Sequence, residues 1–208
     1  MDDKFEEETS EDFLEPPAFD SFSSILDLYH KYIKGEISSS ITHAGPLMKE
    51  TECIKDLLLY INEAGILTLN SQPGMMLKTE DDIQRAYLEC YMPEHLYFHI
   101  EKALMATEII IFGERVVYEN NENDKNTEET CCDCDRYYYI PVTLDNGEVF
   151  TSLPLEYGFY NDLEHLLENT EESAKDIILK DLYYVRFLDP IWKRERFSFE
   201  KIVSGLQS

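Results

Sequence analysis

Positive charge is scarce in this sequence: 18 Lys and Arg stand against 43 Asp and Glu, a formal net charge of −25 over 208 residues. Phosphate backbones and anionic lipid surfaces are held by clustered Lys and Arg, so bulk nucleic acid and membrane surfaces are poor partners for such a chain. Long apolar runs are missing too. A stretch such as Ile109-Ile110-Ile111-Phe112 falls far short of the ~20 residues a spanning helix needs. The opening residues, Met1-Asp2-Asp3-Lys4-Phe5-Glu6, lack the basic and apolar regions of a secretory signal, so a soluble, cytoplasmic protein is expected. Cysteines number five, an odd count, which points to reduced thiols rather than a disulfide framework. Neither Gly-rich phosphate-loop pattern occurs, and the G-x-S-x-G of acyl-transfer enzymes is also absent. No cofactor, catalytic base or nucleophile can be assigned.

What is present is one domain's worth of chain with its acid unevenly spread. Residues 1–20 hold nine acids and one base with Pro16-Pro17, and read as a disordered acidic tail that cannot bury enough surface to offset its ordering entropy. Residues 119–135 hold seven acids and Lys125, and read as a long exposed loop within a single domain spanning 21–208.

Phe22, Ile25, Leu26, Tyr29 and Ile33 recur at helical spacing behind Asp20 and Ser21, and Gly35 ends that helix. A second helix is expected over about 49–63, ending at Gly65. Ile66 to Leu69 reads as a buried strand stopped by Asn70-Ser71-Gln72-Pro73-Gly74. Arg85 to Tyr91 is a strand, followed by a helix opening at Pro93. Glu108 to Phe112 is another strand, continued by Arg115 to Tyr118 beyond Gly113. Tyr137–Thr143 and Glu148–Ser152 flank the hairpin signal Asp145-Asn146-Gly147. Helices are expected near 159–168 and 173–179. A last strand, Tyr183 to Phe187, is broken by Asp189-Pro190 before a closing helix through Phe199, Ile202, Val203 and Leu206. This order predicts an α/β or α+β fold on a mixed sheet of five to seven strands.

The stretch Gly65 to Gly74, with Gln84-Arg85-Ala86 after it, is the most informative. Loops leaving the carboxyl end of a buried strand are where open sheets place ligands. Ser71, Gln72 and the Gly74 amide offer donors and acceptors, and Arg85 adds a planar fork for a carboxylate or phosphate. Ser-Gln-Pro-Gly is equally a plain turn, and Arg85 equally a partner for a nearby acid. The order Asn62-x-x-Gly65-Ile66-x-Thr68, Ser71-Gln72-Pro73-Gly74 and Gln84-Arg85-Ala86 resembles a bacterial family of uncharacterised domains with a G-[FI]-x-T-x-x-SQPG segment and a downstream Q-R-A. Phe187 to Arg194 is similar to the strand of that family that ends in D-P-x-W-G-R, with Lys193 where its members carry Gly. The resemblance implies that Thr68, Ser71, Gln72, Pro73, Gly74, Gln84, Arg85, Asp189, Trp192 and Arg194 form one connected feature, either a binding site or a signature of the fold.

Cys131, Cys132 and Cys134 put three thiols in four residues, one ligand short of a closed zinc site and only a weak metal candidate. His95 and His99 share a helix face, but Leu96 stands where a zinc protease needs Glu. Two functional readings follow. One is a domain that binds a small anionic or nucleotide-like ligand at Ser71–Gly74 with Arg85. The other is an interaction module whose acidic tail and loop engage a basic protein partner.

Overall fold

The computed structural model describes residues 13–76, 79–116, 139–154, 163 and 165–208. Helix α1 (Phe22–Lys34) starts where expected: the Ser21 hydroxyl accepts from the Ser24 amide at 3.3 Å, and Ser24 reciprocates. Gly35 ends it at φ 82°, a conformation glycine takes without steric cost. Of the stretch read as a tail, residues 13–20 pack against the body. The Leu14 amide donates to the Ser40 carbonyl at 3.1 Å, and the buried Phe19 donates its amide to Thr170 Oγ1 at 3.0 Å.

The expected helix over 49–63 is two elements, a 3-10 turn at Lys49–Ile54 and α2 (Lys55–Glu63). Strands β1 (Leu67–Gln72) and β2 (Ile83–Pro93) follow, then α3 (Glu94–Leu104) and β3 (Ile110–Arg115). A hairpin of β4 (Tyr139–Asp145) and β5 (Glu148–Pro154) turns on Asn146 and Gly147, both at positive φ, as the Asn-Gly pair requires. The chain closes with α4 (Glu172–Leu179), β6 (Leu182–Trp192) and α5 (Phe197–Leu206). The acidic loop and the cysteine cluster lie outside the described residues, as does part of the helix expected near 159–168.

Three boundaries differ from expectation. Strand β1 runs on through Ser71 and Gln72, because a bulge at Leu69 re-registers it on β2. Strand β3 passes through Gly113 unbroken. A Cβ there would lie 2.2 Å from the Tyr97 ring, so this glycine admits the ring rather than making a turn. Strand β6 continues across Asp189-Pro190 to Trp192. Proline is accommodated because β3 begins only opposite Leu188 and the pairing with β2 is irregular between Leu188 and Trp192.

All recorded ladders are antiparallel, which makes the fold α+β with a six-stranded curled sheet of order β3-β6-β2-β4-β5. Strand β2 is the spine. One edge carries β6 along its length; the other carries β1 on its carboxyl half and β4 at Ile83 and Gln84. One sheet face, through Ala86, Leu88, Cys90, Met92, Val185 and Phe187, packs on α2, α3 and α5. On the opposite face Tyr91, Leu182 and Tyr184 meet α1, α4 and Leu163, Leu166 and Leu167, while Tyr87 and Leu188 lie under Val142 and Ile140 of the hairpin. These clusters supply the main driving force, since apolar burial contributes about 25 cal/mol per Å².

Candidate functional site

The two distant stretches singled out in the sequence meet at the amino end of β2. Where β1 ends and β4 begins, the edge of β2 has a gap, and the Gln72 side chain fills it. Its Nε2 donates to the Arg85 carbonyl at 3.0 Å and the Val142 carbonyl at 3.1 Å, and its Oε1 accepts from Thr143 Oγ1 at 3.2 Å. Pro73 is buried and Gly74 lies against the Arg194 backbone, where a Cβ would come within 2.8 Å of the Arg194 carbonyl oxygen. The Gln84 amide donates to Met75 at 2.7 Å, and its carbonyl accepts from the Lys193 amide at 3.0 Å. Lys193 holds φ 66°, the left-handed conformation that suits glycine.

Arg85 lies across the Trp192 ring at 4.2 Å and donates through Nη1 to the Pro141 carbonyl at 3.1 Å. Burial lowers its pKa and the nearby Asp189 opposes that shift. Asp189 is fully buried. It accepts from Arg194 Nε at 2.9 Å and Nη2, and from the Ile191 amide at 2.9 Å. The Arg194 guanidinium also covers the Phe197 ring at 3.9 Å. Gln72, Arg85, Asp189 and Arg194 are therefore engaged with one another's strands and turns, and their groups lock the corner. Two buried atoms there, Arg85 Nε and Gln84 Oε1, have no hydrogen-bond partner among the described residues.

Thr68 and Ser71 open elsewhere. Together with Leu69 and Asn70 they form one wall of a cavity of about 90 Å³, faced by Tyr29, Tyr32 and Ile33 of α1 and by His43, Leu47, Met48, Thr51 and Leu58. A regular strand turns alternate side chains to opposite faces, so four consecutive residues along one pocket require its edge or a bulge. Strand β1 supplies both. Opposite it, the Tyr29 hydroxyl and Thr42 Oγ1 lie 2.9 Å apart, and Thr42 Oγ1 lies 3.0 Å from His43 Nδ1. The Tyr32 ring stacks on His43 at 6.2 Å, and burial raises the Tyr32 phenol pKa. The segment 40–48 carries no motif, so its contribution was not readable from sequence; only its hydroxyl and imidazole content hinted at it.

Asn70 reaches the other way. Its Nδ2 donates to Glu89 Oε2 at 3.2 Å, and Glu89 Oε1 accepts from Tyr184 at 2.7 Å and from Arg186 Nε at 3.0 Å. Glu89 and Arg186 are both buried, and a buried pair of this kind holds only with its remaining polar groups satisfied.

The weak metal candidates Cys131, Cys132 and Cys134 lie outside the described residues. Among the described residues no group of three His, Cys, Asp or Glu could hold a metal. His99 Nε2 sits 2.9 Å from the Gly205 carbonyl and ties α3 to α5. No helix among the described residues is long and apolar enough to cross a membrane. Comparison with curated proteins gives no match. A family model described as a domain of unknown function, DUF6919, matches residues 20–208, and the chain belongs to that family.

Proposed function

We propose that the protein binds a small uncharged polar molecule, or one uncharged end of a larger one, in the cavity between β1 and α1. The observation that carries this reading is the bulged strand, which brings Thr68 and Ser71 along one cavity already provided with Tyr29, His43 and Thr51. Among the described residues no Lys, Arg, Asp or Glu lines it, so a phosphate or carboxylate would lose its hydration without gaining a counter-charge. Size narrows the ligand further. Typical small-molecule sites span ~300–1,000 Å³, and a cavity of ~150 Å³ holds benzene, so about 90 Å³ takes a group of roughly four heavy atoms.

This reading moves the ligand away from Arg85, whose guanidinium is committed to Trp192 and the Pro141 carbonyl. A thermal-shift screen of small amides, polyols, nucleobases and their anionic analogues tests it. The expected result is a stabiliser from the uncharged group whose shift disappears in Ser71→Val and Tyr29→Phe but persists in Arg85→Lys. A stabiliser drawn only from the anions, or one lost in Arg85→Lys and kept in Ser71→Val, overturns the proposal.

A further inference from the structure

Beyond the cavity, the open end of the sheet carries an apolar row with no cover among the described residues. Met76 bridges to Ile83, Ile83 pairs with Leu144 on β4, and Leu144 pairs with Val149 on β5. Residues directly opposite in antiparallel pairs share a face, so these four side chains stand side by side across four neighbouring backbones. Met76 is 55% exposed and Val149 57%, and Phe150, the extra residue of the bulge beside Val149, is 71% exposed. Two residues along β2 from Ile83, Arg85 pairs with Trp192 of β6.

The rim of this row is acidic. Glu80, Asp81, Asp145 and Glu148 are all exposed around it, and none of them is in an ion pair with a described residue. Among the described residues, Lys193 approaches the rim but donates through Nζ to the Glu80 backbone carbonyl at 3.3 Å, and Asp145 accepts from its neighbour Asn146. Buried Asp82 caps the Asn146 amide at 2.7 Å and fixes the hairpin turn against the start of β2.

We infer that this row is a docking surface for a protein segment in which Lys or Arg alternate with aliphatic residues. The aliphatic side chains would cover Met76, Ile83, Leu144 and Val149, and the cations would meet the acidic rim. Charge complementarity selects this occupant. An anionic lipid surface is repelled by the same carboxylates, and a second copy of so acidic a chain brings like charge to the contact.

The test uses the full chain and three dye-labelled eleven-residue peptides, one alternating Lys and Leu, one Glu and Leu, and one Lys and Ser, followed by fluorescence anisotropy. The Lys–Leu peptide is expected to bind at least tenfold more tightly than either of the others. Met76→Ser and Val149→Ser, each at an exposed position, are expected to weaken it about tenfold each with thermal melts unchanged. Asp145→Asn with Glu148→Gln should flatten its salt dependence. Equal binding of the Lys–Ser peptide, indifference to the Met76 and Val149 substitutions, or no binding at all overturns the proposal. So does a dimer in sedimentation that Val149→Ser dissolves, since the row then belongs to a second copy.

Discussion

Two residues at the corner make opposite predictions from the same backbone. Gly74 approaches the Arg194 main chain so closely that a methyl group would meet the carbonyl oxygen at 2.8 Å. Because the obstacle is backbone rather than a flexible side-chain end, Gly74→Ala should cost on the order of 1–3 kcal/mol, read as a lower urea midpoint with an unchanged slope. Lys193, by contrast, is a side-chain-bearing residue at φ 66°. The left-handed conformation costs such a residue about 1–2 kcal/mol, and glycine's extra unfolded-state entropy takes back about 0.5–1. Lys193→Gly should therefore leave the midpoint unchanged or raise it slightly. A clear fall would mean that the Lys193 side chain, through its contact with the Glu80 carbonyl, outweighs the backbone.

Among the elements, the hairpin is the piece held most narrowly. Strand β4 pairs with β2 only at Ile83 and Gln84, and the Gln72 amide extends that seam by bonding to Val142 and Thr143. Gln72→Ala leaves the Val142 and Arg85 carbonyls short of a donor, at a cost of about 1–3 kcal/mol. The expected sign is faster amide hydrogen exchange across β4 and β5, with β6 and α5 unaffected; a uniform change across the chain would contradict it. Elements with a local cause were readable beforehand. Ser21 and Gly35 bounded α1, and Asn146-Gly147 set the hairpin. Elements bounded by tertiary context were not. Pro190 looked like a strand breaker because the sequence does not reveal that β3 begins opposite Leu188 and never reaches it, and Gln72 looked like turn material because only the curled sheet leaves a gap for its amide. Of the residues the sequence grouped together, Gln72, Gly74, Gln84, Arg85, Asp189, Trp192 and Arg194 meet at the corner and are spent on each other, while Thr68 and Ser71 line the cavity, which draws His43, Leu47 and Met48 from a segment without a motif.

For the molecule as a whole, half-buried phenols set the alkaline limit. Burial first, and Glu89 second, push the Tyr87 phenol up to about 12, and the same two causes raise Tyr184 further. A folded-state pKa above the unfolded ~10 contributes stability that is complete below about pH 10 and is lost as pH climbs through 12. Denaturant midpoints should hold steady to about pH 10 as far as these groups are concerned and fall above it. Absorbance at 295 nm should then show part of the 14 tyrosines ionising only with unfolding; complete ionisation near pH 10 with the fold intact would contradict the burial of both rings. The placement of β6 also has a consequence for synthesis. This strand is wedged between β2 and β3, yet it is translated about a hundred residues after β2. A nascent chain therefore carries two strands with unclaimed edges until β6 leaves the ribosome, an interval in which a holding chaperone has most to offer.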